Sequence, residues 1–371
     1  MFDALKVTKE LISINSVSAN SNTSISDYIQ DQLEQLKFEV ERITYYDENK
    51  VEKVNLVARI GSGIGGLALL GHSDTVPVDG WVNEAFSPVI NENRLYGRGS
   101  CDMKGPLACM LAAGASYNTK EFSAPLYLVF TADEEIGCWG AAEVSKRSIL
   151  LAEGKLRFGI ICEPTRMEVV RAHKGAIFIK AESRGAASHS STGKGINANL
   201  AMIPFLSEMK VIHDELRFSS RFLNHDFDPP FSDWNIGIND GGIAQNMTAP
   251  KSVCTVYYRP MPGQEPDRFL DRARKAAEEN NLEIKITKIG DPFETPLNSE
   301  LVQTALQVTG TDQAYTVPYG TDGLVFGKQM ELIVMGPGDI RQAHTVNEWI
   351  DLDQFDLAIK TYKDMINSFC A

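Results

Sequence analysis

The 371-residue chain has no apolar run near the roughly 20 residues that cross a bilayer, no low-complexity tract and no internal repeat. The first absence argues against a helical membrane protein, the others against fibrous and solenoid architectures. The six cysteines, Cys101, Cys109, Cys138, Cys162, Cys254 and Cys370, include no CxxC pair and no regular spacing. They read as reduced, mostly buried thiols of a reducing compartment. The N-terminal MFDALKVTKELISINSVS has apolar residues at helical spacing and lacks the continuous apolar core of a secretory signal. A cytoplasmic location is expected. Basic excess is missing too: 36 Lys and Arg stand against 49 Asp and Glu, a net charge of −13. That balance argues against nucleic acid or an anionic membrane as partner and suits a small or cationic ligand.

What is present is an ordinary globular composition, 43% hydrophobic and 23% charged, in a chain too long for one core and long enough for two domains. Residues 1 to about 40 carry helical periodicity. VNLVARI, LALLGH, APLYLVFTAD and FGIICEP follow as short, mostly apolar strands separated by helical stretches. This is the pattern of an α/β layered sheet covered on both faces. The texture changes near residue 172. GAIFIKAESRG and LEIKITKI alternate like strands with one wet face, and NANLAMIPFLSEMKVIHDELRF and PDRFLDRARKAAEENN are amphipathic helices. An α+β domain over 172–291 is therefore expected to interrupt a catalytic α/β domain made of 1–171 and 292–371.

GHSDTVPVDG, residues 71–80, follows the apolar run LALL. His72 and Asp74 are two apart, so on a strand they lean to one face. They fit a metal ligand with its orienting partner, or a polar loop. Four more stretches place acids or a histidine after an apolar strand or in a Gly-rich turn: Asp102 in YGRGSCDMKG, Asp133, Glu134 and Glu135 in LVFTADEEIG, Glu163 in IICEPT, and His344 in GPGDIRQAHTVNE. Ligands of open α/β sheets bind at that strand edge. Taken singly, each is an ordinary solvated turn residue. Taken together, buried and unpaired, they would cost several kcal/mol each, a penalty that a cation removes. Oxygen and imidazole donors without thiolate suit Zn²⁺, with Co²⁺ or Mn²⁺ as alternatives. Two cations sharing a bridging carboxylate would use five protein ligands and leave positions for water.

This motif set resembles the M20 metallopeptidase/deacylase family over almost the whole chain and in the same order. RAHKG at 171–175 and NIGINDGGIAQNMTAP resemble the acetylornithine deacetylase branch, with its acetylcitrulline-processing relatives. The resemblance implies a Zn-peptidase-like catalytic domain with an inserted, ferredoxin-like lid and dimerisation domain. It implies that Asp102 bridges two divalent metal ions, that His72 and Glu163 bind one, and that Glu135 and His344 bind the other. Glu134 would be the general base. Asp74 would hold the His72 ring in one tautomer. His189 would stabilise the oxyanion, from the partner's lid in dimeric members. Asn246 would lie near the substrate, Arg259 would pair with its α-carboxylate, and Gly323 would floor that carboxylate pocket. The implied activity is removal of the acetyl group from an N-acetylated amino acid, N2-acetyl-L-ornithine giving L-ornithine and acetate in arginine biosynthesis, by a homodimer. N-acetylcitrulline deacetylase, succinyl-diaminopimelate desuccinylase and an M20 dipeptidase or aminoacylase share every one of these catalytic residues. A non-catalytic binding protein on the same scaffold would be expected to lose a ligand or the base, and none is missing here. The inserted segment argues against a single-domain aminopeptidase.

Overall fold

The computed structural model describes residues 2–81, 83–116 and 123–371. They form two compact units: Met1–Ala172 with Phe293–Tyr315 and Thr321–Ala371, and His173–Pro292 with Thr316–Gly320. The grouping of Thr316–Gly320 with the second unit is not visible in its residue pattern. It includes a hydrogen bond in which Thr316 Oγ1 donates to Asp226 O at 2.6 Å.

The first unit is built on a sheet ordered Glu39–Tyr46, Glu52–Ile60, Leu126–Thr131, Leu67–His72, Phe158–Ile161, Glu331–Val334, Val170–His173, Phe293–Glu294. Its centre is parallel: Leu67–His72 pairs in parallel with Leu126–Thr131 and with Phe158–Ile161, which pairs in parallel with Glu331–Val334. Every residue of LALLGH and LYLVFT is buried. A strand covered on both faces needs apolar residues at consecutive positions, so these runs do not alternate. One cover is the helix Lys104–Gly114, buried along its whole length and packed between Ala4–Ser13 and Asp353–Cys370. A helix apolar all round belongs in such a place. A small sheet, Trp349–Asp351, Arg94–Tyr96 and Val89–Asn91, ties the end of the chain to the turn before Asp102.

The helical periodicity of the first 40 residues resolves into two helices, Ala4–Ser13 and Thr23–Gln35, followed by the strand from Glu39. The Ser/Asn-rich segment between the helices is committed to tertiary bonds. Ser16 Oγ donates to Ser73 O, Ser18 Oγ to Asp74 Oδ2, and the Asn22 amide pairs with both the N–H and the carbonyl of Val54.

The second unit runs strand, helix, strand, strand, helix, strand, the ferredoxin-like order. Its antiparallel sheet is ordered Asp233–Asn239, Lys251–Arg259, Ala176–Arg184, Glu283–Gly290. Ile177, Ile179, Cys254, Val256 and Tyr258 point from one face into a core completed by Met202, Phe205 and Met209 of Ala198–Phe218 and Phe269 and Ala273 of Asp267–Glu279. The other face is wetter, hence the alternation in these strands. Among the described residues no helix is long and apolar enough to cross a membrane. All six cysteines are buried and unpaired.

Candidate metal centre

Three parallel strands end side by side and deliver polar residues to one edge of the first unit. Leu67–His72 ends in His72 itself, Leu126–Thr131 runs on into Asp133–Glu135, and Phe158–Ile161 leads to Glu163. Asp102 comes from the Gly-rich turn before Lys104–Gly114, and His344 from the loop after Glu331–Val334. His72 Nε2 lies 3.0 Å from Asp102 Oδ1 and 3.3 Å from Glu163 Oε1. His344 Nε2 lies 3.4 Å from Asp102 Oδ2 and 2.9 Å from Glu135 Oε2. The two oxygens of Asp102 thus face two different pairs, His72 with Glu163 and His344 with Glu135, and each pair together with Asp102 can offer three donor atoms to one ion. His72, Asp102 and Glu163 are buried, and the His344 side chain is 56% exposed.

The electrostatics show a site that demands positive charge. Burial works to lower the His72 pKa, yet the Glu163 charge and the Asp102 contact outweigh it and hold it well above its ordinary value. Hydrogen bonds to Asp102 and Glu135 raise His344 to about 10. Burial also opposes ionisation of Asp102, but the two imidazoles hold its carboxyl below the usual range. Glu163 is pushed up to about 7 by burial and the Asp102 charge, and the same two causes raise Glu135. Glu135 Oε1 is buried without a hydrogen bond. Buried carboxylates, one with a bare oxygen, grouped with imidazole Nε2 atoms, are the donor set that divalent cations take. The residues fit the group.

Asp74 sits beside His72, with a division of labour that its spacing alone does not reveal. The His72 Nδ1–H donates to the Asp74 main-chain carbonyl at 3.0 Å, while the Asp74 carboxylate is 3.6 Å from that nitrogen. The carboxylate instead accepts from Ser18 Oγ at 2.7 Å and from the Glu134 N–H at 3.2 Å. So the carbonyl of Asp74 fixes the ring, leaving Nε2 to face the acids, and its carboxylate holds the backbone of Glu134. Burial is the main cause that raises the Glu134 pKa well above its ordinary value. Next to it, Asp133 has φ +56° and is clamped by Lys53 Nζ at 2.7 Å and Tyr45 Oη at 2.7 Å.

Two further groups escaped the reading of the motifs. Glu348, buried completely, is bound to Arg98 and to the turn that carries Asp102. Asp322, also buried, accepts from Thr131 Oγ1 at 2.5 Å. Glu348 ends the stretch GPGDIRQAHTVNE, and Asp322 stands directly before Gly323, but no local pattern marks either acid as buried. Gly323 opens the short helix Gly323–Phe326 directly after Asp322 and is buried.

In the second unit His189 and Asn246 come together on exposed loops. His189 bridges to Met247, and the Ser190 N–H donates to Asn246 O at 2.8 Å. The His189 Nδ1 is engaged by the Ser191 hydroxyl at 2.8 Å. Arg259 lies at the far end of the same sheet, closing the strand Lys251–Arg259, with its guanidinium 4.6 Å from the Tyr257 ring centre.

The model of peptidase family M20/M25/M40 matches residues 68–368, which takes in every residue of the cluster. An acetylornithine deacetylase of Myxococcus xanthus is 34% identical, covering 99% of this chain and 98% of that protein. Another, of Proteus mirabilis, is 32% identical, covering 99% and 96%. Among solved structures, an M20 family metallo-carboxypeptidase of Sulfolobus solfataricus superposes with a TM-score of 0.79 at 19% identity, over 99% of each chain, and shares the fold. With the family model matching most of the chain and the cluster fitting a cation, the chain belongs to peptidase family M20/M25/M40 and is a metal-dependent hydrolase.

Proposed function

We propose that this hydrolase removes the acyl group from N-acylated amino acids, and that N2-acetyl-L-ornithine, giving L-ornithine and acetate, is its substrate. The observation that carries the chemistry is the orientation of Asp102, whose two oxygens address two separate donor groups. That arrangement supports a pair of cations with Asp102 as bridge, His72 and Glu163 on one, Glu135 and His344 on the other. The choice of amine rests on full-length similarity to acetylornithine deacetylases. Bound there, two divalent ions, Zn²⁺ with Co²⁺ or Mn²⁺ as alternatives, would supply Lewis acidity to the water and to the acyl carbonyl.

The chain's own residues do the rest. Glu134, partly shielded and raised in pKa by burial, accepts the proton of the attacking water and returns it to the departing amine. Asp74 fixes where Glu134 stands through its main-chain N–H. His189 donates to the oxygen that gains charge, and Asn246 lies beside the substrate. Arg259 binds the free α-carboxylate as a bidentate fork, and Gly323 is the floor of the carboxylate pocket that the family resemblance implies. A homodimer through the second unit fits its exposed apolar residues, Leu200, Ile203 and Ile238. Six unpaired thiols suit a reducing compartment.

The test is amine release from N-acetylornithine, N-acetylcitrulline, N-acetylmethionine, N-succinyl-diaminopimelate and a simple dipeptide by metal-loaded enzyme. A preference for acetylornithine abolished by a chelator is the expected result. A preference for acetylcitrulline keeps the chemistry and changes the amine. No turnover of any of them overturns the proposal.

A further inference from the structure

Beside the two imidazole–carboxylate groups lies a third set of donor atoms that the proposed hydrolysis does not employ as a set. Glu134, Cys138 and Asp322 each offer one oxygen or sulfur, and these atoms lie within 4.8 Å of one another. Cys138 and Asp322 are each 2% exposed, whereas Glu134 is only partly buried and opens the set to solvent. Asp322 uses Oδ2 to accept from Thr131 Oγ1; its Oδ1 is buried, and besides that hydroxyl the carboxylate meets, among the described residues, the Cys138 thiol but no cation. A buried carboxylate oxygen is costly unless something positive meets it.

The Cys138 sulfur is 3.9 Å from Glu134 Oε1 and 3.7 Å from Thr321 O. Those are long, weak hydrogen bonds for a thiol. A tetrahedral zinc ion with bonds of about 2.3 Å to sulfur and about 2.1 Å to oxygen places the two donors about 3.6 Å apart. The sulfur and the Glu134 oxygen therefore stand close to the spacing that a shared ion imposes. The local chain supports this placement. Cys138 has φ +55°, and its N–H donates to Glu134 O, which turns the thiol back toward the glutamate. One thiolate and two carboxylates form a softer set than the imidazoles and carboxylates next door, so it favours thiophilic ions.

We infer that Glu134, Cys138 and Asp322 form a third cation site, selective for thiophilic divalent ions, whose occupation inhibits the enzyme. On binding, the Cys138 thiol releases its proton to solvent and sulfur bonds to the ion, with no change in oxidation state. The Glu134 carboxylate becomes a ligand and can no longer accept a proton from water. Only the inhibition rests on the reading of Glu134 as base. The binding does not.

The experiment titrates Cd²⁺ into the metal-loaded enzyme while following both amide hydrolysis and the ultraviolet thiolate-to-cadmium absorption. The expected result is a thiolate band that grows with an equivalent beyond the first two, in step with loss of activity. Cys138→Ala and Cys138→Ser keep basal turnover, show no band, and need roughly tenfold or more Cd²⁺ for the same inhibition. Asp322→Asn weakens the band in parallel. Absence of a band in the unmodified enzyme, or a band that survives in both Cys138 variants, overturns the site. A band lost with Cys138 but without inhibition keeps the site and removes Glu134 as base. If the enzyme turns over none of the substrates, the band still decides the site on its own.

Discussion

Glu348 and Asp102 are joined through the backbone: Glu348 Oε1 accepts from the N–H of Asp102 at 2.9 Å and from that of Cys101 at 2.8 Å. Its Oε2 accepts from the Gly99 N–H at 2.9 Å and from Arg98 Nη1 at 2.8 Å. One buried carboxylate, four residues after His344, thus shapes the turn that presents Asp102 and anchors the chain that presents His344. Glu348→Gln keeps the size but aims an amide at donors that need an acceptor. Loss of about 3–5 kcal/mol is expected, as for one partner of a buried ion pair, together with faster loss of metal to a chelator. Urea unfolding and competitive chelation measure the two. Unchanged metal retention with lowered stability would reduce Glu348 to a strut.

Replacing Glu134 with Gln leaves the five proposed ligands in place. Turnover should fall by roughly 10²–10⁴-fold, with the metal content of the purified protein unaltered. Turnover at the original rate would remove Glu134 from the role of base.

Stripping the metal leaves Asp102, Glu135 and Glu163 facing one another in a buried setting, with Glu135 Oε1 unpaired. An ion held at a thousandfold above its Kd contributes about 4 kcal/mol to the folded state. Calorimetry should therefore show Tm falling on chelation and recovering on addition of zinc. A Tm indifferent to chelator would mean that the cluster holds no ion.

His173 is predicted to make the protein acid-labile independently of the metal centre. Burial lowers its pKa from 6.5 to about 4, while its ring nitrogen bonds the Lys174 carbonyl at 2.8 Å. Between those two values the unfolded chain binds a proton that the folded chain refuses. Its share of stability is complete above 6.5 and declines as pH falls toward 4, by about 3 kcal/mol in all. His173→Asn, which retains a donor at the same place, should flatten that part of the stability–pH curve in urea titrations. A slope of the same size in the variant would assign it to other groups.

Leu200, Ile203 and Ile238 are 66%, 55% and 63% exposed, and Ile238 sits on the edge strand Asp233–Asn239 of the second unit's sheet. Exposed apolar residues, one of them on an open strand edge, are expected to be covered. Sedimentation should find a dimer, converted to monomer by Leu200→Asp combined with Ile238→Lys. A monomeric unmodified protein would refute this.

The strand ends were legible because burial of a parallel strand leaves a local mark: LALL, LVF and IIC switch to polar residues where His72, Glu134 and Glu163 begin the edge. The partner of each polar group was not legible. Whether His72 is held by the carboxylate or the carbonyl of Asp74 depends on a ring rotation that spacing cannot specify. Lys53 and Asp133 are distant in sequence and meet only because Glu52–Ile60 lies next to Leu126–Thr131 in the sheet order. Glu348 and Asp322 carry no mark of burial in the sequence because nothing local says that backbone N–H groups or Thr131 wait for them. The break within the helical periodicity of residues 1–40 was not legible for the same reason. Periodicity persists on both sides of Ser16–Asn22, and the bonds that break it are made to Ser73, Asp74 and Val54.

The parallel pairing of Phe158–Ile161 with Glu331–Val334 has a consequence for the chain as it is made. The second unit's main segment lies between these two strands, so the ribosome delivers the later one roughly ten to thirty seconds after the earlier, at 5–20 residues per second. During that interval His72, Asp102 and Glu163 can already gather on strands in hand, while Phe158–Ile161 waits with an open side. His344 and the Glu348 anchor emerge later still. The nascent protein thus carries a central strand with one open edge for the whole synthesis of its insertion. A chain stalled before Glu331 would present Phe158–Ile161 as a ready template for its neighbours on the same message.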